Sequence, residues 1–224
     1  MGLDWKPLNK PLAGREEEYE DIFLTLSGKK KASTSILGNL FGKKQKSQEE
    51  LLEQFLEISI PAYETLAAPK VGFDDKATEW AKSQFEQRTD KNQSLEKFLQ
   101  TMNGYYVVDL VTEHDGIPMY IAPHYEPHVF RAQFLQDCEE ILGKEMMEEA
   151  YTSQLALGTV DFGQRLLKIA DDYATRYNVQ YLKEQRTPPD SDEDTPESKA
   201  HIMFSAAKWL LWWGQRGHGY EADF

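Results

Sequence analysis

The chain has 224 residues, of which 40% are hydrophobic and 28% charged, and its formal net charge is −13. This composition is typical of a soluble globular protein and excludes a fibrous or wholly disordered one. The acidic excess argues against broad nucleic-acid binding, because neutralising phosphates requires Lys and Arg, and it is compatible with a basic partner protein.

Two further features bear on location. No run of about 18 apolar residues occurs, so the sequence predicts no transmembrane segment. The single cysteine, Cys138, cannot form an internal disulfide and suits a reducing compartment. We therefore expect a cytoplasmic protein of bacterial type. Cys138 falls in step with apolar neighbours on a predicted helix, so we interpret it as a buried structural thiol.

Helical periodicity dominates the first part of the chain. Acidic residues precede an apolar stripe that ends at Leu26, and Gly28 then ends the first predicted helix. Residues 28–46 carry two lysine clusters around a small apolar group. We predict a solvated loop there, with a docking patch for an acidic partner or an anionic membrane as the alternative.

The next helices have recognisable start signals. Ser47 and Glu50 fit a capping box, and an apolar stripe follows it. Further helices are predicted over 74–87 and after Ser94. The stripe that follows the capping box consists of Leu51, Leu52, Phe55, Leu56 and Ile60.

The character of the sequence changes at residues 105–122. Two β-branched and aromatic runs flank Asp115-Gly116, a strong hairpin-turn signal, and Pro118 implies an edge position for the second strand. We predict a β-hairpin here that lies against the helices. Helical patterns resume at Val129, with Gly143 ending the first of them.

The predicted fold class is mainly α with a small β component (α+β). We expect one helical domain over 1–183 with about seven to eight helices and one central β-hairpin at 105–122. Residues 184–198 are acidic and proline-rich and predict a flexible linker. Residues 199–224 predict a Trp-rich helix packed on the same domain, followed by an irregular glycine-rich tail with an exposed His218.

The stretch around the hairpin holds three of the five histidines. His114, His124 and His128, helped by Glu126, have the residue types of a metal site. Pro123 and Pro127 favour extended backbone before them, so the one-turn helical spacing of a zinc-protease motif is lost. We interpret these histidines as loop residues, with a metal site as the alternative, and we expect no cofactor.

The Trp-rich helix offers a second candidate site. Trp209, Trp212 and Trp213 lie on a segment that is apolar almost all round, which is typical of a core helix or of one that meets a partner. The core interpretation and the partner-binding interpretation both remain open on sequence alone. The partner in the second case is another protein or a second copy of the chain.

Three functional hypotheses follow. The first is a non-catalytic protein that acts through protein contacts, an accessory or immunity-like binder of a more basic partner. The alternative is a metal-dependent hydrolase using the histidine stretch, with Glu113 or Glu126 as general base. The third is a small-ligand binder that uses tyrosines in and beside the hairpin, namely Tyr105, Tyr106, Tyr120 and Tyr125.

Overall fold

The computed structural model describes residues 2–29, 46–89, 92–111, 120, 128–190 and 194–224. These residues form eight α-helices, four short strands and three 3₁₀ turns. In chain order the strands and helices are β1 (Asp4–Pro7), β2 (Lys10–Pro11), α1 (Glu16–Leu26), α2 (Gln48–Glu57), β3 (Ser59–Ile60), α3 (Ala62–Thr65), α4 (Asp75–Gln87), α5 (Leu95–Met102), α6 (Glu139–Ala150), α7 (Ala156–Tyr177), α8 (Pro196–Gly214) and β4 (Tyr220–Asp223). The 3₁₀ turns are Val108–Leu110, Ala132–Cys138 and Gln180–Lys183. The mainly helical fold class is confirmed.

Helices α7 and α8 form the centre of the main core. Gly163 of α7 lies against Leu210 of α8, and Gly214 lies against Val160, so the two helices run antiparallel. Fourteen of the nineteen residues of α8 are buried, which explains why its sequence is apolar almost all round. Thr195 caps α8 by accepting a hydrogen bond from the Ser198 amide. The helix therefore begins inside the stretch that the sequence predicts to be linker.

The first and last strands pair with each other. β1 and β4 are antiparallel, with Trp5 opposite Ala222. The Trp5 side chain is fully buried, stacks on Phe130 at 5.4 Å between ring centroids, and donates from Nε1 to the Ala150 carbonyl at 2.8 Å. Both strands are therefore anchored in the α7–α8 core.

Two smaller clusters lie beside this core. One joins α1 and α2 through the stacked rings of Tyr19 and Phe55, whose centroids are 4.3 Å apart. The capping box of α2 is present as predicted, with the Glu50 amide donating to the Ser47 hydroxyl. The other cluster joins α4 and α5 around Phe98.

The region of the predicted hairpin differs from expectation where it is described. Tyr106 forms an isolated bridge with Lys70, and Val108–Leu110 form a 3₁₀ turn rather than a strand. The amides of Leu110 and Val111 donate back to carbonyls three residues earlier, which closes the turn. Residues 112–119 and 121–127, which hold the predicted turn and most of the second strand, lie outside the described residues.

The C-terminal tail also differs from expectation. It is not irregular, since it contains β4, and His218 is fully buried rather than exposed. The imidazole Nδ1–H donates to the Leu8 carbonyl at 2.7 Å, and Nε2 accepts from the Thr65 hydroxyl at 2.7 Å. His218 thereby connects the tail to the segment after β1 and to α3.

Within the described ranges, no helix combines the length and apolar character that crossing a membrane requires.

The predicted helix from Val129 begins as the 3₁₀ turn Ala132–Cys138 and continues as α6. Gly143 breaks the helical path with φ of 74° and ψ of 168°, a conformation that favours glycine.

Candidate functional site

The histidine stretch is represented by His128 alone. His114, His124, Glu113 and Glu126 lie outside the described residues. The His128 side chain is buried, with its ring edge-on to Tyr63 at 5.3 Å, and its backbone carbonyl accepts from Trp209 Nε1 at 3.1 Å. Burial lowers the pKa of the imidazole to about 4.

No group of three or more His, Cys, Asp or Glu side chains is placed to hold a metal ion among the residues that the structure describes. The environment of the Cys138 thiol also does not favour the reactive thiolate. Cys138 is fully buried, as predicted, and burial raises its pKa to about 12.

The structure separates the three tryptophans of α8. Trp209 and Trp213 have no exposed surface and pack within the chain's own core. Trp212 is partly exposed and lies under the Arg216 guanidinium, 4.0 Å from the ring centroid. Of the three, Trp212 alone offers surface that a partner can contact without unfolding α8.

The three described tyrosines of the small-ligand hypothesis are not gathered in one place. Tyr105 and Tyr106 lie together beside α4, whereas Tyr120 is buried in the main core, where its hydroxyl lies 3.3 Å from His201 Nδ1. Tyr125 lies outside the described residues.

An apolar groove lies between α1, α2 and the segment after β1, beside the cluster that joins α1 and α2. Its volume is about 470 Å³, and its walls include Leu8, Phe23, Leu26, Leu52 and Leu56. Leu52 and Leu56 lie one turn apart on α2, and they are 50% and 53% exposed. The two leucines therefore form a solvent-facing apolar ridge along one side of the groove.

Acidic side chains run beside this ridge. Glu49 and Glu53 lie about 60° and 100° from Leu52 around the helix axis. Glu57 lies about 100° from Leu56 in the same direction. All three glutamates are exposed. Helices α1 and α2 carry five and four acidic residues and contain no Lys or Arg. The groove is thus apolar inside, and α2 carries negative charge beside the leucine ridge, on a face where Arg15 and Lys46 lie near Glu53 and Glu57.

The helix pair that forms the groove is held by specific contacts. The Tyr19 hydroxyl donates to the Asn9 carbonyl, and the Gln54 amide donates to Glu18 across the helix pair. The Leu12 amide donates to the Ile58 carbonyl at 2.8 Å, which fixes the end of α2 against the N-terminal segment. Because these contacts come from the chain itself, the groove is pre-formed.

The sequence predicts an apolar stripe on α2 that includes Leu52 and Leu56. The structure buries Phe55 and only partly covers Leu51, so the apolar face is wider than the surface available to cover it. The width of that stripe is the signal in the sequence for an exposed apolar surface.

Comparison of the chain with family models, with curated proteins and with solved structures finds no match.

Proposed function

We propose that this chain is a non-catalytic protein-binding module whose α1–α2 groove takes a basic amphipathic helix of a partner protein. The observation that carries the proposal is the half-exposed ridge of Leu52 and Leu56 beside the glutamate stripe. A helix docked there lays its apolar side on the ridge and presents Lys or Arg to Glu49, Glu53 and Glu57. The occupant is defined by this charge complementarity.

The two parts of the surface contribute differently. Completing the burial of Leu52 and Leu56 is worth about 1 kcal/mol each, half of the value for burying a leucine fully. The exposed glutamates add little affinity because water and salt screen them, but they accelerate encounter with a basic segment. Specificity for a basic over an acidic helix follows from the same charges.

The partly exposed Trp212 supports a second, independent contact surface for a protein partner or another copy of the chain. It lies in a shallow cleft with Leu211 and Arg216. Since Trp209 and Trp213 are in the core, a partner-binding test of this helix uses Trp212→Ala alone.

The groove is tested with a synthetic Leu/Lys amphipathic helical peptide and a Leu/Glu peptide of the same pattern, by isothermal titration calorimetry. The Leu/Lys peptide is expected to bind in the micromolar range, more weakly as salt increases, and the Leu/Glu peptide is not. The variant Leu52→Gln/Leu56→Gln keeps helix propensity and is expected to weaken binding at least about tenfold.

The matched control is Leu157→Gln, which changes an 87% exposed leucine on another helix. It is expected to leave peptide binding unchanged. Equal binding of both peptides, or full binding by the Leu52→Gln/Leu56→Gln variant, would show that the groove is not the docking site. Loss of self-association in that variant would instead assign the groove to a second copy of the chain.

A further inference from the structure

We propose that a separate aromatic cleft binds a trimethylammonium group. The cleft has a volume of about 290 Å³, and none of its described lining residues also lines the α1–α2 groove. Three parts of the chain build it: α3, α4 and the segment after α5. Its lining side chains include Tyr63, Trp80, Tyr105, Tyr106 and Asp109.

The backbone that carries these rings is fixed by hydrogen bonds between two segments. The Gly104 amide donates to the Val71 carbonyl at 2.8 Å, and the Val71 amide donates to the Tyr105 carbonyl at 3.0 Å. The Val107 amide donates to the Pro69 carbonyl at 2.8 Å. The cleft wall therefore exists before any ligand arrives, which reduces the entropic cost of binding.

The rings are also ordered with respect to one another. Tyr63 and Tyr106 stack with centroids 5.3 Å apart, and Trp80 and Tyr105 are almost parallel, at 6° and 6.2 Å. Trp80 is partly buried and Tyr105 is 51% exposed, so this second pair retains surface that a ligand can reach.

One of these rings already makes a cation–π contact within the chain. The Lys70 ammonium lies 4.5 Å from the Tyr106 ring centroid and pairs with Glu64 at 2.9 Å. The Tyr106 hydroxyl donates to the same carboxylate. Lys70 does not line the cleft, and its positive charge is paired with the Glu64 carboxylate. The local environment therefore favours positive charge against aromatic faces.

Asp109 supplies the carboxylate of the cleft. It is exposed, and within the described ranges it forms no ion pair. Among the lining residues that the structure describes, the side chains include aromatic rings and this one acid and no Lys or Arg. Aromatic faces with a single carboxylate select a weakly hydrated organic cation, and the small volume suits a head group rather than a large ligand.

The test compares choline with 3,3-dimethylbutan-1-ol, its uncharged counterpart of the same shape, by ligand-observed NMR titration on the full chain. Choline is expected to bind with a millimolar dissociation constant, at least about fivefold tighter than the alcohol. Tyr105→Leu and Asp109→Asn are each expected to weaken choline about two- to fivefold. Tyr181→Leu, at a 63% exposed tyrosine elsewhere, is the matched control and is expected to change nothing.

Equal affinity for choline and the alcohol would overturn the proposal, as would the absence of choline binding. Binding that survives both cleft variants, or binding of a neutral sugar in place of choline, would overturn it as well. Sedimentation with phosphatidylcholine vesicles distinguishes the source of the group. Co-sedimentation lost in Tyr105→Leu supports a lipid head group, and binding of free choline alone supports a soluble ligand.

Discussion

At the scale of single residues, buried neutral histidines tie distant segments together. His128 and His218 are each buried, and burial lowers the pKa of each imidazole to about 4, with Lys6 and Lys10 respectively adding to the shift. His218 also has a fixed tautomer, because the Leu8 carbonyl accepts only from a protonated Nδ1. Protonating Nε2 would place a charge where the Thr65 hydroxyl donates.

The pH dependence of stability follows from these values. Between pH 6.5 and 4 the unfolded chain binds more protons at these histidines than the folded chain, so the free energy of unfolding rises with pH there. The stabilisation is complete above about pH 6.5 and is lost as the pH falls towards 4, by at most about 3 kcal/mol for each histidine.

This prediction is isolated with His218→Gln, because carboxylates also titrate near pH 4. The wild type is expected to be more stable than the variant at pH 7, and the difference should shrink towards pH 4. Urea unfolding at several pH values measures it. If the difference in the free energy of unfolding stayed constant over that range, the pKa of His218 would not differ between the folded and the unfolded chain.

At the scale of elements, the seam between α7 and α8 depends on glycines that allow close approach. A Cβ on Gly214 would lie 2.7 Å from Val160 Cγ2 and 3.1 Å from the Val160 backbone nitrogen. Backbone cannot move aside as a flexible side chain can, so the usual gain from alanine in a helix is reversed here. We expect Gly214→Ala to destabilise the fold by about 1–3 kcal/mol.

Gly158 on the same helix pair is the matched control for this seam. A Cβ there would lie closest to the end of the flexible Gln154 side chain, at 2.8 Å from its Oε1. Gly158→Ala is therefore expected to be neutral or to stabilise by up to about 1 kcal/mol. Denaturant midpoints measure both variants, and equal shifts would show that the seam does not require glycine at 214.

The elements that the sequence predicted well are those with local signals. Side-chain caps at Ser47, Asp74 and Ser94 begin three helices where expected. Val107, Val108 and Leu110 are β-branched or apolar, and yet Val108–Leu110 form a 3₁₀ turn, because strand propensity takes effect only where a partner strand is present. The sequence does not predict the pairing of β4 with β1, because the two strands are more than 200 residues apart and their pairing leaves no local pattern.

The candidate site was predictable only in part, for a related reason. The apolar stripe and the glutamates of α2 are visible in the sequence, but whether Leu52 faces the core depends on how α1 packs against it. The aromatic cleft likewise combines Trp80 with Tyr105 through the pairing of residues 69–71 with 104–107. Such long-range contacts decide which side chains share a surface.

At the scale of the whole molecule, the first and last strands close the fold. Tyr220 of β4 is fully buried against Trp5, at 5.1 Å between centroids, and its hydroxyl donates to the Glu149 carbonyl at 2.9 Å. Its amide and carbonyl also pair with Gln154 ahead of α7. One residue of the tail thus contacts β1, the end of α6 and the start of α7.

Removing residues 219–224 should therefore destabilise the entire fold rather than trim a tail. Loss of the buried Tyr220 side chain alone is expected to cost about 3–5 kcal/mol, comparable with the lower end of the stability of a domain. Deleting Phe224 alone is the control, because its side chain is 63% exposed and contacts Tyr151 only at the edge. Thermal unfolding followed by near-ultraviolet circular dichroism measures both. If the 219–224 deletion kept the wild-type midpoint, β4 would be an accessory strand and the α7–α8 core would be sufficient for the fold.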